Sequence, residues 1–566
     1  MNAIEVIIEN SQERRMVPQG ISLAELAHEY YSEPGRPELK NPILGALVNN
    51  EVRNLNHNLY KPKTVRFFDV THTQGWRMYQ TSLIFMLYKA VHDTYPEAHL
   101  SVRHSLQGGF YCTIVLPEAG LSNPPADRYA IATNVRNRMV ELQEADLPFG
   151  RKTMLIADAV ELLKKEDAAQ TIKLLEGLNQ MYIEMQMLDG STHKLATTLV
   201  PSTGCLRSWH FCPYGDEGYL IQMPDPQHLD RLPILPDTPK LFSIFREHHR
   251  WVDLLHIPTI TDLNRIVRLG GTNTLIHVSE ALHEKKFAEI ADMIFQRRDT
   301  VRMVLLAGPS SSGKTTSCRR LSVQLAILGF DVKMLSLDDY FMSRERTPKL
   351  PNGEYDFESI NALDLPLLND HLNRLMRGEE VEIPTFDFLK GEPYFDGKKL
   401  KLETNSILVV EGIHALNPLL TMEVADELKF KVYVSVLTQI AIDDLNSIRS
   451  SENRMLRRIV RDNNFRGWNA YNTIHRWGEV RAGEEKHIFP FQEQADVMFN
   501  SALLYELGVL RVFAEPQLKN VPMNCEEYAE ARRLLNFIEL VDPIETKNIP
   551  PTSIMREFLG GSSFRY

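Results

Sequence analysis

A glycine, four intervening residues and then Gly-Lys-Thr run through Gly308-Pro309-Ser310-Ser311-Ser312-Gly313-Lys314-Thr315, the spacing of a loop that cradles phosphates. The chemistry needs those residue types. Glycines let the main chain curl until successive N–H groups converge on phosphate oxygens, and the N-terminus of a following helix adds partial positive charge. Lys314 has the reach for β- and γ-phosphates, and the Thr315 hydroxyl can ligate Mg²⁺. Gly308, Ser310, Ser311, Ser312, Gly313, Lys314, Thr315 and Thr316 are the expected lining of a nucleoside triphosphate site.

The flanks supply the context that such a loop requires. Residues 301–307 are mostly apolar and read as a buried strand, and residues 316–326 carry apolar side chains at helical spacing. A second strand-like run from Val332 ends in Asp338-Asp339-Tyr340-Phe341, and a third, Ser406 to Val410, ends in Glu411-Gly412-Ile413-His414. Ligands of open α/β sheets bind outside the carboxyl ends of the strands. Asp338 is therefore placed to accept an acceptor's proton or to position Mg²⁺, and Glu411 to serve the metal's shell. Eight arginines lie between Arg449 and Arg481, of which Arg454, Arg457, Arg458 and Arg461 share adjoining helical faces. A flexible lid of forked donors would neutralise charge on a transferring phosphoryl group and expel water.

The succession of the loop, Leu335-Ser336-Leu337-Asp338, Tyr355-Asp356-Phe357-Glu358, Ile383-Pro384-Thr385-Phe386-Asp387-Phe388, Val410-Glu411-Gly412 and the arginine-rich helix around residues 457–462 resembles the uridine kinase/phosphoribulokinase family over about 300–510. The resemblance implies a P-loop kinase domain with a parallel sheet, using ATP and Mg²⁺. Asp338 would be the general base on a sugar hydroxyl, with Lys314, Arg457 and Arg461 completing the catalytic set. Thr315 and Glu411 would hold the metal. Tyr340, Phe341, Glu358, Phe386 and Arg454 would line the acceptor site, with Asp364 among its acidic residues. Uridine-cytidine kinases place a pyrimidine-reading histidine shortly after the Tyr-Asp-Phe segment; here Lys390-Gly391 stand in that region. The acceptor implied is the 5′-hydroxyl of a nucleoside, and the family also includes sugar-phosphate kinases.

Other elements must carry this domain. Residues 1–69 read as small strands around one helix begun by Ser22, a pattern that resembles the TGS domain, a β-grasp (α+β) module of threonyl-tRNA synthetases and some GTPases. Residues 70–225 resemble the second, α+β editing domain of those synthetases, through Leu83 to Ala90, Tyr95-Pro96 and Gly108 to Tyr111. The editing His-x-x-x-His pair falls on Thr81 and Phe85, so that chemistry is expected to be absent. Cys205, His210 and Cys212 lie close together but lack a second ligand cluster, and read as packed side chains rather than a metal site. Pro224, Pro226, Pro233, Pro236 and Pro239 mark a boundary. Residues 226–299 are expected to be a linker and helical connection, 300–515 the kinase domain, and 516–566 a helical tail packed on it.

Composition agrees with a globular protein of several cores: of 566 residues 43% are hydrophobic and 24% charged. A net charge of −11 argues against wholesale nucleic-acid binding, although the synthetase-like half leaves an RNA- or tRNA-responsive ATPase as a second reading. Five scattered cysteines, no secretory-type start and no membrane-length apolar run make the cytoplasm the expected location.

Overall fold

The computed structural model describes residues 3–36, 39–106, 108–116, 125–166, 168–235, 237–350, 353–387, 390–438 and 440–565. Alternating burial makes β1 (Ala3–Ile8), which pairs antiparallel with β2 (Glu13–Pro18). A capping box starts α1 (Leu23–Tyr31): the Glu25 amide donates to the Ser22 hydroxyl, and the Ser22 amide donates to the Glu25 carboxylate. A hairpin joins β3 (Gly45–Val48) to β4 (Glu51–Arg53) through Asn49 and Asn50, both with positive φ, which asparagine tolerates. With β5 (Lys63–Phe68) these strands form one sheet of order β2-β1-β5-β3-β4.

The next unit is built around α2 (Thr73–Thr94), whose stretch from Ser82 to Val91 is buried on every side. It continues through β6 (His99–Leu106), β7 (Gly109–Val115), α3 (Pro125–Glu144), β8 (Gly150–Leu155), α4 (Ile156–Lys164) and α5 (Ala169–Glu176). It closes with β9 (Tyr182–Leu188), β10 (Ser191–His193), β11 (His210–Tyr214) and β12 (Gly218–Gln222), giving sheets of order β10-β9-β8 and β11-β12-β7-β6. Phe85 is a fully buried core ring, and Thr81 pairs with the Thr197 hydroxyl at 2.9 Å.

Pro236 lies outside the described residues, and its neighbours from 223 to 238 form no helix. The helices that follow, α6 (Pro239–Leu254), α7 (Ile260–Arg268) and α8 (Thr272–Gln296), do not act as a free connection. Their apolar stripes are spent on the body that comes next: Ile244 and Phe245 of α6 enter the core on one face of its sheet, and Phe287, Ile290 and Ile294 of α8 the core on the other.

That body contains β13 (Met303–Ala307), α9 (Lys314–Ile327), β14 (Asp331–Ser336), α10 (Leu365–Met376), the hairpin β15 (Val381–Asp387) and β16 (Glu392–Leu400), β17 (Ser406–Glu411) and β18 (Lys429–Ser435). Then come α11 (Ser450–Phe465), α12 (Ala470–His475), α13 (Trp477–His487), β19 (Val497–Asn500), α14 (Glu506–Lys519), α15 (Glu527–Ile538) and α16 (Met555–Leu559). The central sheet is wholly parallel, in the order β14-β17-β13-β18-β19. The expected break at 515/516 falls inside α14, because α14 and α15 share one apolar core with α11 and α12. No described helix is long and apolar enough to cross a membrane.

The N-terminal half is tied to this body by an ionic chain centred on buried Glu530. Arg77 of α2 and Arg533 both donate to Glu530 of α15, and Arg533 also reaches Glu452 of α11 at 2.6 Å. Burial opposes ionisation of Glu530, but Arg533 and Arg77 overcome it and hold the carboxyl far below its usual range. Glu530→Ala leaves the half-buried Arg77 and Arg533 guanidiniums facing each other, with Glu452 still on Arg533, and should cost about 3 kcal/mol, read from denaturant unfolding. The cost should be constant above pH 4.5, the ordinary carboxyl value, and fade only in stronger acid, because a depressed pKa stabilises the fold above the unfolded value. A shift under about 1 kcal/mol would mean that the chain carries no weight.

Candidate functional site

β13 is buried along its whole length between β17 and β18, so the loop after it emerges at the carboxyl edge of the sheet. The loop hugs β18: a Cβ on Gly308 would lie 2.0 Å from the Val434 carbonyl oxygen. Ser311 takes a left-handed φ of 59° and Gly313 one of 81°, and between them they turn the chain into α9. The Ser311 and Ser312 hydroxyls are buried without a hydrogen-bond partner. Orphaned donors beside a helix N-terminus suit phosphate oxygens, so the residues present fit a nucleotide's phosphates. Lys314 is half-buried, with its ammonium 3.3 Å from the Pro309 carbonyl.

The strand tips bring the carboxylates in. Register places Glu411 of β17 beside Leu306 of β13 and Ser336 of β14. Its Oε1 accepts from the Thr315 hydroxyl at 3.3 Å and from the Ser336 hydroxyl at 3.2 Å, so the two expected metal ligands do meet. Burial pushes the Glu411 carboxyl up; the Asp338 charge adds to this and Lys314 opposes it. Such a carboxyl, in the field of Asp338 and bonded to a threonine hydroxyl, is suited to a divalent cation. Asp338 itself is exposed at the mouth, one turn beyond β14.

Glu358 is half-buried on the facing side, where the α13 backbone at Gly483 approaches so closely that a Cβ there would lie 2.3 Å from the Glu358 Cβ. Burial raises its carboxyl from 4.5 to about 7, against the pull of Arg458 and Lys314 and with the push of Glu484 and Asp338. Lys314, Asp338, Glu358 and Glu411 thus act on one another electrostatically in one site. The Phe341 and Phe386 rings form a tilted pair 5.6 Å apart, while Phe388 lies outside the described residues.

The arginines differ from a flexible lid. α11 is packed under the loop, and its guanidiniums grip it. Arg454 is bidentate on Glu484 and reaches the Ser310 carbonyl at 3.2 Å. Arg457, fully buried, is held by Glu506 and by the Ser501 carbonyl at 2.7 Å, and approaches the Ser311 carbonyl at 3.5 Å. Arg458 donates to the Ser310 hydroxyl at 2.9 Å, and Arg461 pairs with Asp462 at 2.8 Å. Arg454 and Arg457 therefore position the loop rather than reach past it.

Two more expectations are corrected. Tyr340 points into the core, 1% exposed, with its hydroxyl 2.9 Å from His371 Nδ1, because residues 337–340 form a 3₁₀ turn that swings it away from Asp338. Asp364 caps α10 by accepting the Leu367 amide at 3.1 Å. The residues sequence reasoning missed are acidic. Glu484 accepts the Ser310 amide at 3.2 Å as well as Arg454 and Arg481, and Glu557 accepts from Thr316. The i, i+3 spacing of Arg481 and Glu484 was the one available signal for the former.

A cavity of about 940 Å³ between the N-terminal half and the body of the parallel sheet shares Pro309 and Arg454 with these surroundings, but not Lys314, Asp338, Glu358 or Glu411.

Residues 303–504 match the model of the phosphoribulokinase/uridine kinase family. A uridine kinase of Staphylococcus haemolyticus is 27% identical over 34% of this chain and 84% of its own length. One from Chlamydia pneumoniae is 26% identical over 41% of this chain and 95% of its own. The solved structure of a possible uridine kinase from Bacillus stearothermophilus covers 38% of this chain and 98% of that one at 16% identity, with a TM-score of 0.26. The loop, the family match and the two sequence relatives agree on one statement: residues 303–504 carry a uridine kinase/phosphoribulokinase-like P-loop kinase domain.

Proposed function

We propose that the domain transfers the γ-phosphoryl group of ATP to a hydroxyl of a small molecule, most simply the 5′-hydroxyl of a nucleoside. The observation that carries this reading is the meeting of the Thr315 hydroxyl and the Glu411 carboxylate beside Lys314, with Asp338 open at the mouth. Mg²⁺ held through Thr315 and Glu411 would neutralise charge on the β- and γ-phosphates. The remaining work belongs to the chain. The loop amides and Lys314 hold the phosphates, and Asp338 receives the acceptor's proton as its oxygen attacks. Phe341 and Phe386 offer aromatic faces to the acceptor, and the Glu358 carboxyl a hydrogen bond. Arg461, paired with Asp462, would supply charge to the transferring phosphoryl group, while Arg454 and Arg457 hold the loop in shape.

A second acceptor class, a sugar phosphate, draws support from Arg344. It packs against Gly391, in the stretch where uridine-cytidine kinases carry their histidine: a Cβ on Gly391 would lie 2.3 Å from the Arg344 Nε. A panel of nucleosides and sugar phosphates, read by ADP release, separates the two classes.

Lys314→Ala should abolish turnover. Asp338→Asn should lower kcat by about 10²–10⁴-fold while nucleotide binding survives, and an asparagine variant of full activity would remove Asp338 from the mechanism. The nucleotide-free protein should lose stability as pH rises from 4.5 to about 7, because folded Glu358 keeps a proton there that the unfolded chain has released. Glu358→Gln should lessen that slope and raise the melting temperature at pH 8. An unchanged slope would place Glu358 in water rather than in the pocket.

A further inference from the structure

The last of the described helices starts against the phosphate loop. α16 is short, but its seat is deep: Ile554 and Phe558 are fully buried in the core around α9, and Met555 is fully buried in the core around α11. Ile554 lies so close to the loop that a Cβ on Gly313 would be 2.6 Å from its Cγ2. The Phe558 ring lies under the Arg457 guanidinium at 5.2 Å, and its carbonyl accepts from the Asn464 side chain at 3.0 Å. Gly560 and Gly561, both at positive φ, then turn the chain away.

This seat leaves Glu557 one place to go. Its Oε2 accepts from the Thr316 amide at 3.2 Å and from the Thr316 hydroxyl at 2.6 Å. Thr316 sits in the first turn of α9, where free amides and the helix dipole favour an anion and where a nucleotide's α- and β-phosphates are cradled. A carboxylate satisfies the same donors and the same field. Glu557 also adds to the crowding of negative charge at Glu411. The Glu484 carboxylate on the Ser310 amide and Lys314 on the Pro309 carbonyl show the same pattern of self-satisfaction.

We infer that Glu557 is a resident substitute for nucleotide phosphate: the C-terminal strap is an autoinhibitory element, and a nucleotide enters only by displacing this carboxylate from Thr316. The inference rests on the nucleotide site proposed above and adds its regulation. Two anions cannot share one amide and one hydroxyl, so nucleotide affinity is reduced by the stability of the Glu557 contact. Conditions that loosen the strap should activate the site with no change in the loop.

The test is calorimetric titration of MgADP into the full-length protein and its Glu557→Gln variant, with Lys314→Ala as the control for loop-dependent binding. Removing the charged acceptor of two hydrogen bonds should tighten MgADP by roughly tenfold or more. Equal affinities, or weaker binding by the variant, overturn autoinhibition while leaving the nucleotide site intact. If neither protein binds MgADP, the proposed function fails, and this inference with it. Should the glutamine variant not fold, Glu557→Asp keeps the charge but withdraws it by one methylene, and the same tightening is required of it.

Discussion

A curl of backbone that aims N–H donors and a lysine at a single point creates a demand for negative charge, and the rest of this domain is arranged around it. The parallel sheet sets the position of the curl, because β13 is locked between two strands and can deliver the loop only at its carboxyl edge. The same register aligns the ends of β14 and β17, which is why Ser336 and Glu411 meet beside Thr315 without any loop having to reach for them. Carbonyls on the outer side of the curl need donors in turn. α11 supplies them from Arg454 and Arg457, each anchored on its far side by a buried carboxylate, Glu484 or Glu506. A buried guanidinium without such a partner would not be tolerated, so the pairs are the condition for using arginine there.

Charge balance inside the site follows from this plan. Lys314 draws on both Glu411 and Glu358, joined at Glu358 by Arg458, while Asp338 crowds both carboxyls from the acidic side, with Glu557 adding to it at Glu411 and Glu484 at Glu358. Burial outweighs these cations and pushes both carboxyls toward their neutral forms. A divalent metal held by Thr315 and Glu411 would reverse that pressure, since its charge would favour the ionised carboxylate. The site is easier to build around an incoming charged ligand than to keep ionised without one.

Features carried by short spacing were legible in the sequence. The loop and its flanking strand and helix, the carboxylates at two strand tips, and the Ser22 cap with its Glu25 partner each depend on residues a few positions apart. Side-chain direction was not legible. Tyr340 and Asp364 have the residue types that a site uses, but a 3₁₀ turn and a helix cap take them for the core and for α10. The arginine cluster was found, yet whether its members reach outward or brace the loop depends on Glu506 and Ser501, which belong to a different helix and a different turn. The helices of 239–296 read as a connection because their partners on the sheet come later in the chain.

α11 joins these observations into one mechanical element. Just before its first residue Arg449 bonds Gln80 of α2 at 2.6 Å, and in its first turn Glu452 bonds Arg533. Its middle holds Ser310 and Ser311 through three arginines, and Asn464 in its last turn holds the strap at Phe558. A packed helix of 16 residues does not bend easily, so its three sets of contacts move together or not at all. The N-terminal half, the phosphate loop and the C-terminal strap therefore share a support. This helix gives any influence of the first on the second a continuous physical route.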